Sequence, residues 1–202
     1  MLELSLSENL ILTVLSFFTA LMTSIAGAGG GTVLLAAMLQ FMNPAESIPL
    51  HGVIQFTSNI TRTWLLRKFV NWNIIFKFSL LLPIGIFIGL KIFQNIDGDN
   101  IKNLIGFFIL LALGVQNLKI INSLKVPTNI YLIVGFLTGI LNILVGVIAP
   151  LLAVIVKQSI SEKKSIVGTL GYFGLIGNLI KIIGFTFIGF SFFEYILSLI
   201  HI

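Results

Sequence analysis

The stretch Leu10–Met42, LILTVLSFFTALMTSIAGAGGGTVLLAAMLQFM, decides the fold. A membrane-spanning helix needs about 20 apolar residues. This run is too long for one span and too short for two. Gly27-Ala28-Gly29-Gly30-Gly31 interrupts it. Glycine tolerates backbone conformations that other residues resist. The run therefore reads as a helix that breaks at the glycines and resumes as a half-helix near Thr32–Met42.

Further apolar stretches follow at Ile48–Leu66, Ile74–Phe93, Ile101–Leu118, Ile130–Val156 and Ile166–Phe190, with a short one at Phe192–Ile202. Composition agrees with a membrane setting. Hydrophobic residues make up 57% of the chain, charged residues 9%, and mean hydropathy is +1.09. Soluble domains carry about 25% charged residues. The expected class is an all-α integral membrane protein, a polytopic helical bundle. With no cysteine, disulfides, thiolate metal sites and cysteine nucleophiles are excluded. The two histidines, His51 and His201, make a histidine metal cluster unexpected, and no cofactor is implied. The net charge of +5 belongs to membrane-flanking loops rather than to nucleic-acid binding. Glu3 and Glu8 precede the first apolar run without a Lys or Arg, unlike an ordinary signal peptide.

A second break lies in Ile130–Val156, from Gly146 to Pro150. Proline suits the first turn of a new helix, where its missing N–H costs nothing. This gives a second half-helix, Pro150–Lys157. Gly146 follows Gly27 by 119 positions (146 − 27). The same offset pairs Thr19 with Thr138, Gly31 with Pro150, Gly52 with Gly171, Asn59 with Asn178 and Arg62 with Lys181. Overall identity at this offset is near chance, so the matching residue types carry the repeat. Two repeats are expected, 1–119 and 120–202, the second shortened at its C-terminus. A second copy of the chain could complete the bundle.

Charge sets the topology. Arg67, Lys68 and Lys77 flank one connection, Lys119 and Lys125 another, and Lys157, Lys163 and Lys164 a third. The positive-inside rule places these in the cytoplasm. Glu3, Glu8, Glu46, Asp97 and Asp99 then lie outside. Each broken stretch must enter and return on its own side, so the repeats are inverted. Inverted repeats meeting at broken helices are a transporter architecture, with the site near the midplane. The expected location is the cell inner membrane, crossed several times.

Two features carry chemistry. The free N–H groups of Gly27, Gly29, Gly30, Gly31 and Thr32, at the start of a half-helix, suit an anion. Close packing of helices through small residues is the competing reading. The second feature is a polar stripe. His51, Gln55, Ser58, Asn59 and Arg62 share one helix face by their three- and four-residue spacing. Gly171, Gly174, Asn178 and Lys181 form its partner. An arginine within a membrane costs about 3 kcal/mol or more, although Arg62 or Lys181 alone could snorkel to the interface. No carboxylate is placed to neutralise either cation, which suggests an anionic ligand. Gly146 and Pro150 complete the candidate set. No serine-hydrolase elbow, zinc-protease motif or Walker loop occurs, so neither an enzyme nor direct ATP use is expected.

These motifs resemble the sulfite exporter TauE/SafE family. The resemblance lies in the glycine break, the run His51-Gly52-Val53-Ile54-Gln55-Phe56-Thr57-Ser58-Asn59-Ile60-Thr61-Arg62, the break Gly146-Val147-Ile148-Ala149-Pro150, and Val167-Gly168-Thr169 through Asn178 and Lys181. It covers roughly residues 10–190 and implies a secondary transporter of sulfite, sulfonates or related organosulfur anions. The chain departs from the family pattern at Ile148 and Ala149, where glycines are usual, and at its early end. A passive anion channel and a non-transporting accessory subunit are the alternative functions.

Overall fold

The computed structural model describes residues 4–116, 126–196 and Leu199. Lys119, Lys125, His201 and the boundary between the expected repeats lie outside the described residues. Among the described residues there are eight α-helices and no strand. They are α1 (Leu6–Ala26), α2 (Gly30–Phe41), α3 (Pro44–Leu66), α4 (Trp72–Phe93), α5 (Gly98–Gln116), α6 (Ile130–Leu144), α7 (Ala149–Lys157) and α8 (Lys163–Phe187). The short stretch expected at Phe192–Ile202 begins as a 3-10 turn, Phe192–Tyr195. Helices α1, α4 and α8 are long and apolar enough to cross a membrane. The all-α membrane class read from composition holds.

Local chemistry sets the helix starts. Ser5 and Glu8 form a reciprocal capping box at the head of α1, satisfying two N–H groups that a helix start leaves open. Asn43 caps α3 ahead of Pro44, and its side chain accepts from the Glu46 N–H at 3.1 Å. Asn71 caps α4, and its own N–H donates to the Thr169 hydroxyl at 3.2 Å, tying the start of α4 to α8.

Both breaks fall where the sequence places them. α1 ends on Gly27, whose φ of 85° is the left-handed conformation glycine adopts at helix ends. Gly146 does the same between α6 and α7, at φ 77°. Element starts recur at the 119-residue offset as well. α2 begins at Gly30 and α7 at Ala149; α3 begins at Pro44 and α8 at Lys163.

Small residues bring the bundle together. α4 and α6 approach through Gly85 and Gly135. A Cβ on Gly85 would collide with the Phe136 carbonyl, and one on Gly135 with the Phe78 carbonyl. In a bilayer, lipid is as apolar as the helices, so association rests on such close van der Waals contact. α3 packs along α8 and α2 along α1. Phe78 stacks on Phe173 at 3.8 Å between ring centroids, within a core that also buries Tyr131 and Phe185.

Candidate functional site

The two breaks meet at one cavity between α1, α3, α6 and α8. On a scale where one water needs about 10–15 Å³, its interior measures about 70 Å³. That admits a few waters or one small oxyanion. From the first half, Thr23, Gly27, Gly29, Gly31, His51, Gln55, Asn59 and Arg62 line it. From the second come Thr138, Asn142, Gly146–Ala149, Leu152, Leu170, Phe173, Gly174, Gly177 and Asn178.

The lining inherits the 119-residue offset. Thr23 and Asn142, Gly27 and Gly146, Gly29 and Ile148, His51 and Leu170, Gln55 and Gly174, and Asn59 and Asn178 all lie on it. Six pairs, twelve of the twenty lining residues, are thus related by this one offset.

Backbone polarity converges there. α2 and α7 both start without a side-chain cap, and Gly29 and Gly31 at one start and Ile148 and Ala149 at the other line the cavity. Helix N-termini offer unpaired donors and about half a positive charge each. Ala149 precedes Pro150, which has no N–H, so the α7 end is poorer in donors than the glycine-built α2 end.

The polar side chains that line it combine one cation with amides, hydroxyls and an imidazole. Arg62, only 8% exposed, donates from Nη1 to Asn59 Oδ1 at 3.0 Å, while its Nε has no partner in the protein. Asn59 is held against the bare Cα of Gly174, where a Cβ would collide with its amide. Asn178 is fixed by donating from Nδ2 to the Gly174 carbonyl at 2.8 Å. His51 meets the Gly31 carbonyl through Nε2 at 2.9 Å. A carbonyl only accepts, so Nε2 carries the proton. Nδ1 is buried without a partner. No Asp or Glu lines the cavity, and among the described residues neither Arg62 nor Lys181 has an ion pair. A buried cation without a carboxylate is costly unless an anion joins it.

Of the residues singled out from sequence, Gly27, Gly29, Gly31, His51, Gln55, Asn59, Arg62, Gly146 and Asn178 are brought together at the cavity. Gly30 instead seals α2 onto α1, where a Cβ would collide with the Thr19 carbonyl and the Thr23 hydroxyl. Thr32 and Pro150 line a second, wider cavity of about 580 Å³ on the far side of Gly29, together with Ala36, Ile109 and Lys157. Ser58 is half-buried and does not line the site. Lys181 is fully buried beside Gly52 and does not reach the cavity. Thr23, Asn142, Phe173 and Gly177 were not anticipated. Thr23 and Asn142 are 119 positions apart, so extending the repeat comparison by one polar pair would have found both.

Apolar helices of membrane-spanning length, broken twice so that glycine-marked ends meet at a polar cavity free of carboxylates, point to a membrane transporter. The family comparison agrees. The model of the sulfite exporter TauE/SafE family matches residues 12–201, and the chain belongs to that family of membrane transporters. No curated protein and no solved structure matches the chain.

Proposed function

We propose that the chain is a secondary transporter of small sulfur oxyanions or organosulfonates, with sulfite the first candidate, working by alternating access in the cell inner membrane. The observation that carries this reading is the cavity itself. Arg62, four side-chain amides, Asn59 and Asn178 among them, and two uncapped helix starts face a space of oxyanion size, with no carboxylate among them. Arg62 would pair with the anionic head, Asn59 and Asn178 would donate to its oxygens, and the Gly29–Gly31 turn would supply backbone N–H groups.

Two inverted repeats, α1–α3 with α4 and α5, and α6–α8, fit this mechanism. The recurrence of breaks, helix starts and lining residues at one offset supports them. So does a reciprocal contact: Gly52 touches the Lys181 chain, and Gly171 touches the Arg62 chain. Exchanging each residue for its partner 119 positions away converts one contact into the other, as a two-fold relation requires. Arg67, Lys68, Lys163 and Lys164 then mark the cytoplasmic face.

The test is uptake of radiolabelled sulfite into proteoliposomes holding the purified chain, with and without a proton gradient, against taurine, sulfate and chloride as competitors. Saturable uptake blocked by one anion class supports the reading. No uptake under any gradient contradicts it.

A further inference from the structure

The two halves of the site are equivalent in sequence position but not in conformation. α2 lies closed on α1, with Gly30 against the Thr19 carbonyl. In the second half α7 packs chiefly on α5 and α8 instead of on α6. Thr138 and Leu152, at the positions equivalent to Thr19 and Val33, line the cavity, whereas Thr19 and Val33 do not. One half-helix gate is shut and its counterpart is parted.

The two cations divide the same way. Arg62 lines the cavity. Its equivalent, Lys181, is 0% exposed, and its Nζ has no hydrogen-bond partner. Its chain lies across Gly52, next in sequence to His51, which does line the cavity. Leu12, Leu34, Met38 and Leu50 close the α1–α2 side as a fully buried apolar cluster. An unpaired buried ammonium is poorly tolerated, and a ligand of opposite charge is what would satisfy it.

We infer that Lys181 is a second anion position, hidden here by the closed α1–α2 pair and uncovered when that pair parts and α6–α7 closes. This rests on the alternating-access reading above. The ligand is the same small oxyanion, held by Arg62 in one state and by Lys181 in the other. Arg62 lies toward the basic end of α3, and Lys181 lies far from the basic start of α8. The two positions therefore serve opposite faces of the membrane. Ala149 stands where α2 has Gly30, so its methyl opposes closure of α6–α7 and favours the present state.

Because the chain has no cysteine, a single introduced thiol reports alone. Thr138→Cys and Thr19→Cys would be labelled by a membrane-impermeant thiosulfonate in vesicles of known orientation, with methanesulfonate, which does not react with the reagent, as the protecting ligand. Thr138→Cys is expected to react from the basic face, and Thr19→Cys scarcely at all. Adding Ala149→Gly should raise the Thr19→Cys rate at least about tenfold, as a minor state becomes dominant. Methanesulfonate should then protect that thiol. Lys181→Met should abolish this protection, Lys181→Arg should restore it, and protection of Thr138→Cys should persist throughout. Thr19→Cys that stays unreactive in every background while sulfite flux proceeds would overturn the second position alone. So would protection that survives Lys181→Met, or that is lost at both thiols together. Absence of flux in the unaltered protein would overturn the transport reading itself.

Discussion

Lys181 lies across the bare Cα of Gly52, where an added methyl would fall 3.1 Å from Cε and 3.4 Å from Cδ. The matching approach of Arg62 to Gly171 is nearly as close, at 3.3 Å. Gly52→Ala should therefore disturb Lys181 before it disturbs the backbone. Overpacking of this kind costs about 1–3 kcal/mol. A lowered unfolding temperature with sulfite binding at Arg62 retained is the expected outcome, read by thermal unfolding in detergent with and without sulfite.

Arg62→Gln removes the only charged side chain among the described residues that line the cavity. Losing one partner of a buried charge pair costs about 2–5 kcal/mol, so apparent sulfite affinity should fall about thirtyfold or more. Because the unpaired cation is itself a burden on the fold, stability should not fall. Uptake kinetics and thermal unfolding on the same preparation check both halves of this expectation.

Gly146 combines φ of 77° with Leu35 Cδ2 standing 2.8 Å from where a Cβ would sit. A left-handed conformation costs a side-chain-bearing residue about 1–2 kcal/mol, and the contact adds to it. Gly146→Ala should lower the unfolding temperature clearly. Gly106→Ala is the control: a Cβ there meets nothing within 4 Å, and α5 gains a better helix former.

Gly135→Leu should prevent assembly of the bundle, because the α4 backbone already occupies the space of its Cβ. Gly114→Leu, on an exposed stretch of α5 with nothing within 4 Å, should be tolerated. Yield of monodisperse protein after extraction from the membrane distinguishes them.

Much of the fold could be read from the sequence because membrane helices are constrained by length and by where glycine and proline break them. The breaks at Gly27–Gly31 and Gly146–Pro150 are of this kind. The polar stripe from His51 to Arg62 was legible through its helical spacing, and four of its five members reach the cavity. Ser58 does not, although the same spacing puts it on that face. Thr32 and Pro150 were read as part of the first cavity, but a half-helix that offers its backbone to a ligand turns its first side chains elsewhere, here to the wider cavity beyond Gly29. Lys181 was legible as an intramembrane cation. Its full burial beside Gly52 was not, because that depends on how α3 and α8 pack rather than on residue type. Thr23 and Asn142 escaped notice because one small polar residue in an apolar helix looks like helix packing until its partner in the other half is seen.

The most direct measurement is counterflow. Proteoliposomes preloaded with unlabelled sulfite are diluted into trace labelled sulfite, and internal label is followed over time. A carrier that binds the anion between Arg62 and the amides of Asn59 and Asn178 and alternates its access will accumulate label transiently above equilibrium, and Arg62→Gln will lose the overshoot. A monotonic approach to equilibrium, unaltered by Arg62→Gln, would contradict alternating access at this site.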